Sequence, residues 1–371
     1  MPRNEPFWNP YRFVPVKSDN AERKRPLTCE KFAAGSFSGE IVCSLVNLSP
    51  LFIGSNSQAT SRPFLLSKKN NKPMIPGSSL KGMFRSLVEL VGGGCSAIST
   101  RGVTPEGLQS CSDNTRLCVA CRMFGMMGRG SNAMVLKGKV SIGDALLVQG
   151  EGRTKGMNVY LGSPKLTHTA FYQSPNGKVD GRLRKFYFHQ PARQDLLTEP
   201  TGKAADSKWQ IQALPPSPDN RFEFKIQFQN LTPDEYSVLL YVIALENQVS
   251  VSIPQEKGGP LTYSGPMRHK VGYAKSLGGG TCRITIESVI QLPHPKERFS
   301  SLTSSKLVLE GEALLREISE KTAIYHDDSS LTMQKLRTML VWSDEDNREF
   351  RFPDYYWFKD GGHSQIALKP V

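Results

Sequence analysis

The chain is 371 residues long, 38% of them hydrophobic, with 47 Lys and Arg against 34 Asp and Glu, a formal charge of +13 and a pI near 9.4. That is enough apolar content for one large core or two modest ones, which excludes a disordered chain. The longest apolar run, near Val238 to Leu245, is far short of a membrane span, and the opening MPRNEPFWNPYRFVPV lacks the apolar centre of a signal peptide, so a cytoplasmic protein without membrane segments is expected. A polyanion is the natural partner of such a charge, and the excess is uneven: residues 152 to 209 hold ten Lys/Arg against four Asp/Glu, whereas from Lys296 onward there are eleven against thirteen.

Taken in chain order, GEIVCSLVNLSPLFIG (Gly39 to Gly54) reads as a strand stopped by a Pro/Gly break. After a polar stretch comes NKPMIPGSSLKGMFRSLVEL, Asn71 to Leu90. Leu80, Met83, Phe84, Leu87 and Val91 recur at helical spacing, Pro76-Gly77 fixes the turn into the helix, and Ser78 or Ser79 is expected to cap it. The other face carries Lys81, Arg85 and Glu89. First-turn amides and these cations together suit an anion, although an Arg85–Glu89 ion pair on a solvated face would explain the same pattern. Next come Cys95, Cys111, Cys118 and Cys121, in a Gly/Ser/Asp-rich stretch too poor in apolar residues to order itself. A close thiol pair with two more distant thiols suits a closed tetrahedral zinc site that contributes folding energy locally; the alternative is four unrelated thiols. Cys29, Cys43 and Cys282 stand alone, the last two as buried small residues on strand faces. LKGKVSIGDA, Leu136 to Ala145, reads as another strand.

Residues 146 to 220 make an unusually long connection and are read as an insertion. Within it, GRLRKFYFHQPAR sets Arg182, Arg184 and Lys185 beside Phe186, Tyr187, Phe188 and His189, a mixture suited to phosphate contact and base stacking, or else a hairpin whose aromatics simply pack. RFEFKIQFQNL then alternates strictly. TPDEYSVLLYVIALENQ follows as a helix with Thr232 as N-cap, Pro233 in its first turn and Glu235 closing a capping box. The loop MRHKVGYAKSLGGG brings Arg268, His269, Lys270 and Lys275 next to Gly278, Gly279 and Gly280, whose bare backbone can approach a phosphate. His189 and His269 are the two histidines in basic surroundings. TCRITIESVIQL closes a second strand–helix–strand unit, and two such units suggest an α+β, ferredoxin-like sheet with helices on one side, the architecture RNA-recognition modules use. Beyond it, helices are expected near Lys306 to Glu320 and Leu331 to Trp342, before an aromatic tail. No HExxH, Ser-His-Asp or phosphate-loop pattern occurs.

The order LVNLSPLFIG, IPGSSLKGMFRSLVE, CRMFG, KVSIGDA, a second capped helix and HKVGYAKSLGGG is similar to the RAMP superfamily of CRISPR-associated proteins. It most resembles backbone subunits of type III and related effector complexes, near the III-D or type VII branch. The resemblance covers about residues 35 to 295. It implies a ferredoxin-like palm (35–295) with a zinc-binding insertion (92–125) and a hairpin thumb (146–220), flanked by an N-terminal extension (1–34) and a C-terminal one (296–371). It implies a subunit that polymerises with further copies of itself along a CRISPR guide RNA. Complementary target RNA, a guide-end-capping RAMP subunit and a separate effector nuclease are the other partners implied. Ser78, Ser79, Lys81 and Arg85 would hold guide phosphates, and Lys275 with Gly278 to Gly280 would approach the guide backbone. Arg182, Arg184, Lys185 and Tyr187 are placed on the thumb by charge alone.

In backbone subunits that cut target RNA the family places an aspartate in the loop after the first strand. Here no Asp or Glu occurs from Ile41 to Val88, so no catalytic residue is assigned and a scaffold without cleavage is expected. Two alternatives stay open: an endoribonuclease of the same superfamily, and a zinc-stabilised RNA-binding protein acting alone.

Overall fold

The computed structural model describes residues 8–28, 33–55, 61–96, 104–128, 134–160, 180–191, 208–254, 259–300 and 306–350. In chain order the elements are β1 (Tyr11–Pro15), β2 (Phe37–Asn47), the two-residue strands β3 (Ser61–Arg62) and β4 (Met74–Ile75), α1 (Gly77–Val91), α2 (Val119–Phe124), β5 (Gly125–Met127), β6 (Val135–Lys137), β7 (Val140–Ile142) and β8 (Ala145–Gln149). There follow β9 (Lys155–Tyr160), β10 (Leu183–Tyr187), β11 (Lys208–Ala213), β12 (Arg221–Leu231), α3 (Pro233–Ala244), β13 (Val249–Ile253), β14 (Leu261–Gly265), β15 (His269–Lys270) and β16 (Thr281–Gln291). The C-terminal part supplies α4 (Pro295–Ser300), β17 (Leu307–Leu309), α5 (Gly311–His326) and α6 (Leu331–Leu340).

The fold is mixed α+β with mostly antiparallel sheets. Its largest sheet runs β15-β16-β2-β12-β8-β4, with β7 also pairing β12 and β17 pairing β16. β2 lies at the centre, antiparallel to β12 from Val46↔Arg221 to Gly39↔Phe228 and to β16 from Asn47↔Cys282 to Gly39↔Gln291. The strict alternation of β12 decides its two faces. Phe222, Phe224, Ile226 and Phe228 are buried, and α1 and α3 cover them: Phe84 of α1 lies 6.5 Å from Phe224, and Tyr236 of α3 lies 5.5 Å from Phe228 and stacks on Phe37 at 4.4 Å. The opposite face is open and polar. There Lys225 pairs with Glu40 at 2.7 Å, and Arg221 pairs with Glu223 and Glu287 at 3.2 Å.

α3 carries the expected cap, with the Thr232 hydroxyl and Glu235 carboxylate each accepting from the other's backbone N–H. α1 departs from expectation. It starts at Gly77 with Pro76 as its N-cap, and neither serine hydroxyl caps it. Pro76 holds an extended backbone (φ −60°, ψ 138°) and its carbonyl already accepts from Ser79 N at 2.9 Å, which draws both serines inside the first turn. The expected single strand across Leu136 to Ala145 is cut into β6, β7 and the start of β8. Gly138 enforces one break: a Cβ there would stand 2.4 Å from the Phe124 carbonyl carbon. The expected helix near Lys306 begins as β17, which pairs with β16, and turns helical only at Gly311.

Segments flanking the main sheet on both sides in sequence join the common core. Val14, Ala21, Leu314, Met333 and Phe350 belong to the same buried cluster as Phe224 and Leu239. The segment after α6 lies against the N-terminal segment through a Trp8↔Phe350 bridge, and the buried Arg348 guanidinium sits about 5 Å from the rings of Trp8, Phe188, Tyr263 and Phe350 while pairing with Asp346.

Candidate metal centre and nucleic-acid interface

Cys95 follows α1, Cys111 follows a 3-10 turn at Glu106–Leu108, and Cys118 and Cys121 cap and open α2. All four are buried, and their sulfurs lie within 4.8 Å of one another. Sulfurs bound to zinc at ~2.3 Å in a tetrahedron stand about 3.8 Å apart. Cys95 Sγ and Cys121 Sγ are 3.7 Å apart, so the four residues fit that ion. Backbone joins in: Cys118 N–H donates to Cys111 Sγ at 3.3 Å, and hydrogen bonds from Cys118, Cys121 and Cys95 hold the Cys111 thiol far below its ordinary range. Bound zinc would supply local folding energy to this loop rather than chemistry.

Arg85, one turn below Lys81, spends its whole guanidinium here. Nε donates to Glu89 Oε1 at 2.8 Å, Nη1 to the Gly125 carbonyl at 2.9 Å and Nη2 to Cys121 Sγ at 3.4 Å. A tetrathiolate zinc site carries a net charge of about −2, part of which Arg85 would offset from α1. The Arg85–Glu89 pair weighed from sequence is therefore present, but half-buried and turned toward the cysteines, and this commitment takes Arg85 off the open face of α1. Arg184 is drawn to the same region: burial lowers its pKa, and the charges of Glu89 and Cys95 act against that. On the far side of α2, Arg122 Nε donates to Glu235 Oε1 at 2.7 Å and Lys139 pairs with Glu235 Oε2. Glu235 thereby ties the cysteine-bearing helix to α3, a role that its capping pattern concealed.

The amino end of α1 already holds a carboxylate. Asp144, in the turn between β7 and β8, accepts from Gly77 N at 2.7 Å, because Gly77 packs so close to that turn that a Cβ would stand 2.1 Å from the Ile142 carbonyl oxygen. Ser78 is exposed and Ser79 half-exposed. Lys81 and Lys137 line a groove of about 660 Å³ that runs past Arg85 and the cysteines. Nothing local in the sequence distinguishes Lys137; only the β5–β6 hairpin brings it beside α1.

The other expected contacts are mostly turned inward. His189 is buried, with Nδ1 3.0 Å from Thr281 Oγ1 and Nε2 3.0 Å from the Arg268 carbonyl; His269 is buried with Nε2 2.8 Å from the Val242 carbonyl. Both leave the RNA-contact set, since rings satisfied inside the core cannot reach a strand outside it. Lys270 is buried as well, its ammonium donating to the Lys275 carbonyl, and burial takes its pKa down to about 7; burial also lowers Lys275. Gly278, Gly279 and Gly280 are buried, and their N–H groups donate to the carbonyls of Lys275, Ala274 and Pro50. These glycines fold their own turn: at Gly280, φ +79°, a Cβ would meet the Val271 carbonyl oxygen at 1.9 Å. They present no open amide cradle in this arrangement.

GRLRKFYFHQP pairs as β10 with β1, Tyr187 opposite Tyr11, rather than projecting as a thumb. Lys185 Nζ lies 3.5 Å from the Tyr11 ring centroid and 5.2 Å from that of Tyr187, and burial lowers it to about 8. Arg182 is exposed but pairs with Asp19 at 2.6 Å. Elsewhere in the insertion β9 pairs antiparallel with β11, which also pairs with β3, and the segments 161–179 and 192–207 lie outside the described residues. So do Cys29 and the loop positions Asn56 to Thr60.

A family model described as the RAMP superfamily matches residues 44–257, spanning α1, the cysteine cluster, β12 and α3. The chain belongs to the RAMP superfamily. Membership points to a CRISPR-associated RNA-binding protein, in keeping with the basic composition. No curated protein matches the chain. Among the described residues no helix is long and apolar enough to cross a membrane.

Proposed function

We propose that this RAMP protein is a guide-RNA-binding backbone subunit of an RNA-targeting CRISPR effector complex of the type III-like kind. On this reading it polymerises along the guide, holds complementary target RNA, meets a guide-end-capping RAMP subunit and leaves cutting to a separate nuclease. The family match across α1 and the central strands carries the reading. The strand order β16-β2-β12-β8, with α1 and α3 as the crossing helices, supports a ferredoxin-like palm, and the cysteine geometry supports structural zinc in its insertion. The open sheet face argues against RNA being read as RNA-recognition modules read it, because among the described residues β2, β12 and β16 expose no aromatic ring there and their charges are largely paired. The groove lined by Lys81 and Lys137 is the better path for a phosphate backbone, bound without regard to sequence.

Sequencing the RNA that purifies with the chain tests this. Fragments with repeat-derived ends, carried by a ladder of multimers, are expected. Purification free of RNA, or with fragments unrelated to any repeat, would overturn the reading, and a strictly monomeric RNA-bound protein would favour the lone binder.

A further inference from the structure

A second cavity, of about 470 Å³, opens where the segment after α6 seats on the sheet edge, between the end of β14, the start of β16 and residues 342–344. The seating is specific. Trp342 N–H donates to the Pro266 carbonyl and Arg268 N–H to the Leu340 carbonyl, each at 2.8 Å. Gly265 lies directly beneath, and a Cβ on it would stand 2.1 Å from the Trp342 carbonyl oxygen, so any larger residue would push the segment away and open the cavity.

Two guanidinium groups line this cavity, Arg268 and Arg283. No carboxylate pairs with either among the described residues. Arg268 Nη1 is used on the Met267 carbonyl, whereas its Nε is buried without a hydrogen-bond partner. Leaving a charged donor desolvated and unsatisfied costs stability, and a neighbouring like charge adds to that cost, unless an anion occupies the space between them. Burial and then the charge of Arg283 both act on Arg268 in that direction. Trp342 supplies an aromatic wall, its Nε1 donating to Asp344 Oδ1 at 3.1 Å. Guanidinium pairs recognise phosphate, indole rings recognise bases, and a carboxylate accepts from an exocyclic amine.

We propose that this cavity holds one nucleotide of a single-stranded RNA, with its phosphate between Arg268 and Arg283 and its base against Trp342. The proposal rests on the RNA-binding reading above, yet Arg268, Arg283 and Trp342 all lie outside 44–257, and of the residues lining the cavity Leu48 alone falls within the segment that carries the family match. The C-terminal segment, through Trp342, builds one wall of the site.

The test is binding of a fluorescein-labelled single-stranded RNA to the full-length protein, followed by anisotropy across a range of salt concentrations. Arg283→Gln, at an exposed position, is expected to weaken binding about tenfold at low salt and to flatten the salt dependence by about 0.7 in log–log slope, the share of one phosphate on a single strand. Lys225→Gln is the control, since it removes the same charge from the same sheet face at a residue already paired with Glu40. RNA carrying a photoreactive uridine is expected to crosslink to the peptide containing Trp342. Equal weakening by the two variants would reduce the effect to net charge and overturn the site, as would wild-type affinity in Arg283→Gln and in the Arg268→Gln, Arg283→Gln double variant. Failure of the wild type to bind any RNA would overturn both this proposal and the RNA-binding reading, and is distinguishable from the other outcomes for that reason.

Discussion

Arg85 shows how a residue can be legible in type and illegible in role. Its position on α1, four residues from Glu89, is readable from the helical period; that its guanidinium turns toward Cys121 depends on Gly125 arriving from the far end of α2. Replacing Cys118 and Cys121 with serine is expected to abolish the binding of about one zinc per chain, measured by mass spectrometry of the metal. Arg85→Ala should keep the four thiols yet release zinc to a chelator at least ~10-fold faster, in the absence of RNA. An unchanged release rate would return Arg85 to the phosphate-binding set. His269 gives a separate handle. Burial holds its pKa at about 4, down from 6.5, so the unfolded chain binds the extra proton first as pH falls. Its contribution is fully present above pH 6.5 and is lost as pH drops through about 4, up to roughly 3 kcal/mol. Urea unfolding at about pH 7 and about pH 4.5 should show a smaller acid loss in His269→Gln than in the wild type.

Among the elements, those whose pattern is local are readable and those set by distant partners are not. β12 alternates and α3 begins with a capping box, and both stand where the sequence puts them. The β13–β14 hairpin is an addition to the elements expected from sequence, although VSVSI alternates as clearly, with Val249, Val251 and Ile253 buried and the serines exposed. β17 cannot be read from its own residues, since Leu307 and Val308 are exposed and only pairing with β16 makes them a strand. The capping box itself understates Glu235. One carboxylate caps α3, accepts from Arg122 of α2 and pairs with Lys139 beside β7, all in the core. Glu235→Gln leaves two buried cations without their counter-charge and is expected to cost about 3–5 kcal/mol, whereas Thr232→Ala, which removes the cap alone, should cost about 1 kcal/mol. Chemical denaturation separates the two; equal losses would mean that the ion pairs add nothing beyond the cap.

At the scale of the molecule, charge and the α1 motif point to RNA, while the aromatic cluster in the insertion points to it for the wrong reason. Phe188 and His189 pack against Phe350 and Trp342, residues far along the chain, and no local pattern announces that pairing. What composition does bear on is cutting. Metal-assisted cleavage of a phosphodiester needs carboxylates to hold a cation near the scissile phosphate, and the chain has none from Ile41 to Val88. The structure sets Asp144 at the amino end of α1, and it is engaged: Oδ1 accepts from Gly77 N in the first turn of that helix. Releasing it to ligate a cation would uncover that helix end. Under the proposed function, full-length protein loaded with guide RNA is therefore expected to bind complementary RNA and leave it intact in magnesium or manganese. An end-labelled target incubated without any other nuclease is the measurement. Products at regular spacing would make this chain itself the enzyme, and Asp144→Asn would then decide between sources of the carboxylate: loss of those products would assign the cation to the amino end of α1, and their persistence would assign it to a neighbouring copy or another segment.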